Sequence, residues 1–472
     1  MHSKSLTNDQ YIIGLDLGND SSGLAFFGIH NHEPEAVDLS GGYGKHSMPT
    51  VVQHIPSTGE WVFGEYALLN HGAGVTYDNL INRLGSSDKN VTTALTMFIK
   101  EILSNIKNIN PRAEIAGIVA TIPDYLAENA KKELQEVFTG AGYGDKLLTL
   151  ASSRECALAR YFHDNNIEND ILLLDFGASG LRGGLYRYEN GSITAVSSRF
   201  CNQTSMTQIN LAAEDFFCSL LSLRVKKEQL SAFAYQQRDI LFQKNAGLRP
   251  LKFYFNFLHP PQQVTVTPHQ ISNFIAPYKE NFRQFVHSVS SGNPHVLCVG
   301  GGFEMLWARE IVSSMFENVT FYKNPKMANC EGAALIGARL LGIHTKVPAL
   351  NIVDNHQITC RIGIKNGTDF IPLINKGDFW WQNHLAKLVL VTKPVESSLE
   401  LTIAKSPFSK TEKQTLGIIK LENLPTRPKS VTRLSVGIRF SSPSEFTVTV
   451  EDIGFGELFP ASGVIAELII NI

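Results

Sequence analysis

Residues 11–20 read YIIGLDLGND, and residues 171–180 read ILLLDFGASG. In both stretches an apolar run of strand character ends at an aspartate, Asp16 or Asp175, and a glycine follows two residues later. Glycine lets backbone N–H groups approach an anion closely, and a carboxylate at a strand end can hold a hydrated Mg²⁺ ion. The repeated pattern predicts a duplicated domain with a phosphate and Mg²⁺ site between its two copies. The alternative is that both aspartates only cap turns.

The composition of the chain restricts its class. It has 472 residues, a formal net charge of −2 and 43% hydrophobic residues, which suits two or three globular domains without a basic surface for nucleic acid. The cysteines are scattered without a CxxC pair, which favours buried thiols over zinc ligands or disulfides. The start MHSKSLTNDQ lacks an apolar signal core, and no apolar run approaches the roughly 18 residues of a membrane span. We therefore expect a cytoplasmic protein without nucleic-acid or membrane partners.

Two regions of different character follow one another along the chain. Residues 9–343 alternate strand and helix patterns, including the amphipathic helix AENAKKELQEVFTGAG and a hairpin turn at Asn190-Gly191. Residues 344–354 have the composition of a linker, and residues 355–472 contain only strand patterns with short turns between them. The predicted fold is therefore an α/β domain over residues 9–343, followed by an all-β sandwich over residues 355–472.

The order of the motifs resembles the superfamily that joins actin, sugar kinases and the 70 kDa heat-shock chaperones. The first and second phosphate motifs of that superfamily resemble IIGLDLG (12–18) and LLLDFGASG (172–180), and its adenosine motif resembles VLCVGGGFEM (296–305). The proline segment of the chaperones resembles IAGIVATIPDYLAENAKKEL (115–134). The first and second connecting helices resemble SSRECALARY (152–161) and NCEGAALIGA (329–338). The resemblance implies a duplicated, two-lobed actin-like ATPase fold. Lobe I would comprise about 9–168 and the helix near 328–343, and lobe II about 169–327.

The resemblance also implies roles for individual residues. The catalytic residues would be Glu155, Asp175 and Asp16, with Asp16 and Asp175 holding Mg²⁺, and Pro123 would act as a conformational switch. ATP or ADP would contact residues of the glycine-containing turns, namely Gly18, Asn19, Gly177, Ala178, Ser179, Gly300, Gly301 and Gly302.

The C-terminal strands favour the chaperone branch, because actins and sugar kinases lack a sandwich after this domain. Residues 367–381, 416–428, 433–440 and 445–457 look like parts of the chaperones' peptide-binding sandwich. Because the sequence stops at Ile472, we expect the helical lid of those proteins to be absent. The resemblance implies a divergent chaperone that binds ATP and extended apolar peptide segments, works with co-chaperones and, if active, hydrolyses ATP. The alternative is a pseudo-ATPase scaffold with little or no hydrolysis. The sandwich argues against a filament or kinase relative.

Several residues depart from the family pattern. Asp20 stands where the first phosphate turn carries a hydroxyl residue, and Arg182 stands where the second motif carries an aspartate. Only Asn82 and Arg83 are present where the chaperones have a catalytic lysine. These changes weaken phosphate and cation contacts. We predict that Asp20 and Arg182 compensate each other, by pairing or by Arg182 turning to the phosphates.

Overall fold

The structure is a computed structural model with mixed α/β composition. It describes residues 6–31, 33–69, 74–86, 88–124, 126, 128–165, 170–189, 192–201, 204–221, 227–242, 249–343, 345–350, 352–353, 358, 360–366, 369–376, 378, 380, 386–406, 414–442 and 444–471. The chain divides into two compact units, which are treated separately below. The first comprises Met1–Asp124 with Glu128–Val353, and the second comprises Tyr125–Ala127 with Asp354–Ile472.

The first unit alternates strands and helices. Its strands are β1 (Gln10–Asp16), β2 (Ser21–Gly28), β3 (Glu35–Ala36), β4 (Ser47–Pro49), β5 (Val52–Ile55), β6 (Glu60–Phe63), β7 (Val75–Tyr77), β8 (Glu114–Ile122), β9 (Leu147–Ser152), β10 (Ile171–Phe176), β11 (Leu181–Glu189), β12 (Ser192–Cys201), β13 (Leu251–Phe255), β14 (Gln262–Val266), β15 (His295–Val299), β16 (Val319–Phe321) and β17 (Ile352–Val353). Its α-helices are α1 (Gly64–Leu69), α2 (Lys89–Ser104), α3 (Glu128–Gly140), α4 (Ser153–Asp164), α5 (Met206–Ser219), α6 (Lys227–Phe242), α7 (Pro268–Val289), α8 (Leu306–Met315) and α9 (Ala328–Leu340), with short 3-10 helices at Asn105–Asn108 and Gly301–Glu304.

Two larger sheets of this unit share one local arrangement. In the first, with the order β3-β2-β1-β8-β9 and β4 beside β2, strand β1 pairs antiparallel with β2 and parallel with β8. In the second, with the order β16-β15-β10-β11-β12-β17, strand β10 pairs antiparallel with β11 and parallel with β15. Asp16 and Asp175 therefore occupy the same position, near the C-terminal end of a strand with one antiparallel and one parallel neighbour. The central strands are apolar because both of their faces are covered.

Helix α9 packs closely because its sequence is rich in small residues. A Cβ atom added at Gly14 of β1 would lie 1.8 Å from the carbonyl oxygen of Cys330 in α9. One added at Gly332 of α9 would lie 1.8 Å from the carbonyl oxygen of Cys156 in α4. Only glycine allows these backbones to touch, so α9 lies directly between β1 and α4.

The second unit is built from strands. They are β18 (Arg361–Asn366), β19 (Asp369–Ile374), β20 (Lys387–Val391), β21 (Ser398–Ser406), β22 (Gln414–Glu422), β23 (Thr432–Ser442), β24 (Glu445–Asp452) and β25 (Ile465–Asn471). The described strands form two antiparallel sheets with the orders β19-β18-β21-β22 and β20-β23-β24-β25. Alternate residues of both sheets, such as Ile403 and Val448, share one hydrophobic core.

A buried ion pair lies within the second unit. Arg427 Nη1 donates to Asp452 Oδ1 at 2.7 Å, and Arg427 Nη2 donates to Asp452 Oδ2 at 2.9 Å. The side chains are 3% and 0% exposed. The carboxylate also accepts from the backbone N–H groups of Gly454 and Ser462, so its lone pairs are well used.

The predicted helix, hairpin and linker can each be compared with the structure. The helix expected from AENAKKELQEVFTGAG is confirmed as α3. The hairpin is confirmed as the antiparallel pair β11 and β12, although its turn residues Asn190 and Gly191 lie outside the described residues. Within the segment expected as a linker, Val347 is buried in the core of the first unit and β17 pairs with β12, because apolar side chains gain from burial. Over the described ranges, no helix is long and apolar enough to cross a membrane.

Candidate functional site

The two repeated aspartates lie close enough to influence each other. Asp16 accepts a short hydrogen bond from Thr121 Oγ1, its partner in the register between β1 and β8. Burial raises the pKa of Asp16, against the lowering effect of this bond and of Lys326. Burial also raises the pKa of Asp175 to about 7, and the negative charges of Asp16 and Asp124 add to the increase. Three carboxyl groups therefore share one region of low solvent access.

Each repeated aspartate has a cationic neighbour. Arg182 is directly opposite Asp175 in the register between β10 and β11, and its positive charge lowers the pKa of that carboxyl against the effect of burial. Lys326 does the same for Asp16, and its Nζ donates a hydrogen bond to Ser21 Oγ. A positive charge near each carboxyl group thus opposes, but does not outweigh, the effect of burial on its pKa.

Arg182 is held by further contacts. Its Nη1 lies 3.6 Å from Asp124 Oδ2, and its guanidinium stacks over the ring of Phe200 at 4.9 Å. Asp124 also lies 3.5 Å from Arg154 Nε. Asp124 directly follows Pro123, the expected switch residue, which comes just after β8. Arg182 therefore connects the end of β8 in the first sheet with β10 and β11 in the second.

The two turns that follow the aspartates contact each other. Asn19 Nδ2 donates to Ser179 Oγ at 3.1 Å, and Asn19 Oδ1 accepts from the backbone N–H of Asn82 at 2.9 Å. In the second turn, Gly177 N–H donates to the Gly180 carbonyl at 3.0 Å, and the Ala178 carbonyl accepts from a backbone N–H of α5. The structure thus brings together residues that are 160 positions apart in the sequence.

The first turn is tight. A Cβ atom added at Gly18 would lie 2.5 Å from the carbonyl oxygen of Ser21. Asp20 Oδ2 accepts from Ser21 Oγ at 3.2 Å, and the Asp20 carbonyl accepts from Thr50 N–H at 2.9 Å. The proposed pairing of Asp20 with Arg182 stays a prediction, and Arg182 also forms an ion pair with Asp124.

The third glycine turn packs on the second aspartate. Gly300 has φ +92°, and a Cβ atom there would lie 2.6 Å from Asp175 Oδ1. Gly302 is pressed against the ring of Phe176 in the same way, whereas an added Cβ atom at Gly301 would meet only the side chain of Lys326, at 3.8 Å. The turn at 300–302 therefore lies against the end of β10, and Gly301 is its most open position.

Glu155 has a structural task at the start of α4. Its carboxylate Oε2 accepts from the backbone N–H of Ser152 at 2.7 Å, while Ser152 Oγ accepts from the backbone N–H of Glu155 at 3.2 Å. This is a capping box, which stabilises the first turn of a helix. The catalytic role of Glu155 stays a prediction. In such a role, the same carboxylate would also have to accept the capping hydrogen bond from Ser152.

Sequence reasoning missed Lys326, Asp124 and Thr121. Lys326 stands in the segment Asn324–Met327 before α9, and Pro325 of that segment accepts from Gly300 N–H at 2.9 Å. The local sequence signal for this segment is the dipeptide Asn324-Pro325, which indicates a turn just before a small-residue helix.

The donor set does not fit Mg²⁺ as expected. The positive charges of Lys326 and Arg182 act to lower the pKa values of the two proposed ligands, Asp16 and Asp175, and the same charges would repel a dication bound to these carboxylates. The same cations, the hydroxyl of Ser179 and the glycine turns are groups that bind phosphate oxygens.

Comparison with known proteins gives partial matches. Residues 33–233 match a family model described as "Family of unknown function (DUF5716) C-terminal", and residues 355–472 match one described as "Domain of unknown function (DUF8552)". Heat shock 70 kDa protein 8 of Arabidopsis thaliana is 27% identical over 144 residues, which is 30% of this chain. The match covers 26% of the length of that protein. Over this part, the chain is therefore similar to a 70 kDa heat-shock protein.

Proposed function

We propose that the chain is a divergent heat-shock-type chaperone whose first unit binds ATP or ADP between its two larger sheets. The observation that carries this proposal is the contact between Asn19 and Ser179, which joins the two strand–aspartate–glycine turns. The shared strand arrangement around Asp16 and Asp175 is consistent with the duplicated, actin-like lobes, and the partial similarity to a heat-shock protein supports the branch.

The second unit is proposed to be a β-sandwich that binds extended apolar peptides. Strand β20 is at the edge of its sheet among the described strands, and an edge strand is the kind of element that pairs with an extended peptide. Leu388 and Leu390 of β20 are 66% and 46% exposed, while Val389 and Val391 point into the core. An extended peptide could hydrogen-bond to this edge and cover the two leucines.

A second candidate function is a pseudo-ATPase scaffold with the same architecture. It is favoured by the capping task of Glu155 and by the cations that face Asp16 and Asp175. Phosphoryl transfer depends almost entirely on positioning and on charge stabilisation. These features should therefore lower the rate of ATP hydrolysis more than the affinity for ATP.

The test combines calorimetric titration with ATP and a single-turnover assay of phosphate release. Binding with turnover supports the chaperone-type ATPase, and binding without turnover supports the scaffold. Absence of ATP binding by the folded chain would refute nucleotide binding altogether. Peptide binding is tested separately with a fluorescent extended apolar peptide and the variant Leu388→Ser with Leu390→Ser. The matched control is Ile418→Ser on β22, which is also exposed.

A further inference from the structure

We propose that the cleft formed by the turns at 16–20, 175–180 and 300–302 binds the phosphate chain of the nucleotide without a divalent metal ion, with Arg182 and Lys326 supplying the positive charge. This inference rests on the proposed nucleotide binding and makes it more specific. It replaces the expectation that Asp16 and Asp175 hold Mg²⁺.

The first reason is the placement of the two cations. Arg182 and Asp175 are cross-strand neighbours, and Lys326 is close enough to Asp16 to lower the pKa of that carboxyl. One cation therefore acts on each aspartate, and the turns that follow the two aspartates contact each other through Asn19 and Ser179. A phosphate chain bound at these turns would be near both an arginine and a lysine.

The second reason is the local charge. Asp124 and Arg154, which lie 3.5 Å apart, belong to the same group of charges, and these three carboxylates and three cations sum to zero when all are ionised. Mg²⁺ at a nucleotide site is usually bound by one or two carboxylates together with the phosphates, and here Arg182 and Lys326 act on the two carboxylates proposed as its ligands. A phosphate chain, in contrast, gains from both cations, and the planar fork of arginine can bind two phosphate oxygens.

The third reason is that both cations are positioned by the fold. Arg182 is held over Phe200 and near Asp124, and Lys326 is held by its bond to Ser21. The stem of Lys326 also lies next to Gly301, the most open position of the third turn. Positioned cations lose less conformational entropy on binding an anion than mobile surface cations do.

The experiment measures the affinity of the whole chain for ATP by calorimetry, once with Mg²⁺ and once with EDTA. The two dissociation constants should agree within about threefold, because the protein supplies the charges that Mg²⁺ would otherwise supply. With EDTA present, Arg182→Gln and Lys326→Gln should each weaken binding by about tenfold or more, the usual scale of a charge-assisted contact. Arg182→Lys should retain more affinity than Arg182→Gln, since it keeps the charge.

Two neighbouring cations provide matched controls. Arg187 lies on the same strand as Arg182 but pairs with Asp170 at the surface, and Lys323 is an exposed residue just before Lys326. Arg187→Gln and Lys323→Gln should leave the dissociation constant unchanged. Circular dichroism of every variant verifies that the fold is retained.

The outcomes separate the inference from the function on which it rests. If ATP binds only with Mg²⁺, the metal-free inference is overturned and nucleotide binding stands. If ATP binds under neither condition, the proposed function fails and the inference fails with it. If ATP binds equally well with EDTA but both glutamine variants keep the original affinity, the assignment of Arg182 and Lys326 is wrong. Tripolyphosphate, used as a second probe, tests recognition of the phosphates alone. It should bind to the unmodified protein, and its binding should weaken in the same two variants.

Discussion

Replacing Asp452 with asparagine removes one partner of the buried ion pair in the second unit while keeping the side-chain volume. Arg427 would then remain buried, at 3% exposure, without a compensating negative charge. Breaking a buried pair in this way typically costs about 3–5 kcal/mol. The asparagine would also present an N–H group to one guanidinium N–H, so at least one of the two bonds to Arg427 is lost.

Hydrogen exchange followed by mass spectrometry on the whole chain measures this loss directly. Amides of β23 and β24 should lose about two to four orders of magnitude of protection, since each tenfold change corresponds to about 1.4 kcal/mol. The control Glu451→Gln changes the neighbouring residue, which is exposed, and should alter protection by less than about 0.5 kcal/mol. A loss below about 1 kcal/mol for Asp452→Asn would refute the view that this ion pair is essential to the unit.

The same carboxylate predicts a pH dependence. Burial acts to raise the pKa of Asp452, but bonds from Arg427, Ser462 and Gly454 outweigh it and lower the pKa to about 2. Since the folded pKa is below the unfolded value of about 3.9, the ionised group contributes stability above pH 4. This contribution, about 2 kcal/mol, should be lost as the pH falls from about 4 to 2. In Asp452→Asn, the free energy of unfolding of the second unit, measured by acid titration, should not show this loss between about pH 4 and 2.

Three further predictions concern the first unit. Glu155→Ala should lower the free energy of unfolding by about 0.5–2 kcal/mol in thermal denaturation, whereas Glu155→Gln should keep the cap and the stability. Gly332→Ala should cost about 1–3 kcal/mol in the same assay, because its Cβ atom would overlap the backbone of α4, whereas Gly140→Ala, with ordinary contacts, should be nearly neutral. Asp20→Ser should strengthen ATP binding in calorimetry by removing a negative charge, and strict additivity with Arg182→Gln would disprove their coupling.

Local patterns made part of this structure predictable. Helix α3 follows from its apolar period and its terminal glycines, and strands β1 and β10 follow from apolar runs that end at an aspartate. The capping box at α4 was also readable, since Ser152 and Glu155 have the S-x-x-E spacing. The family resemblance implies a catalytic role for Glu155, and the spacing from Ser152 independently predicts its role in the cap.

The cationic half of the site was not predictable from local patterns. Lys326 reaches Ser21 across 305 positions of sequence, and Asp124 meets Arg182 only because the two sheets come together. Such contacts depend on the packing of whole sheets, which periodicity and turn signals do not report. Arg182 departs from the family pattern in the sequence itself, but its contact with Asp124 is visible only in the folded chain.

The contacts of α9 restrict how this protein can evolve. At Gly14 and Gly332 an added methyl group would occupy the space of a neighbouring carbonyl oxygen, so neither position can accept another residue unless the backbones separate. A descendant that replaced both glycines would have to move α9 away from β1 and α4 together, which would shift Asp16 relative to the rest of the cleft. Homologous chains that retain the same cleft should therefore have glycine at both positions, while much of the surface diverges.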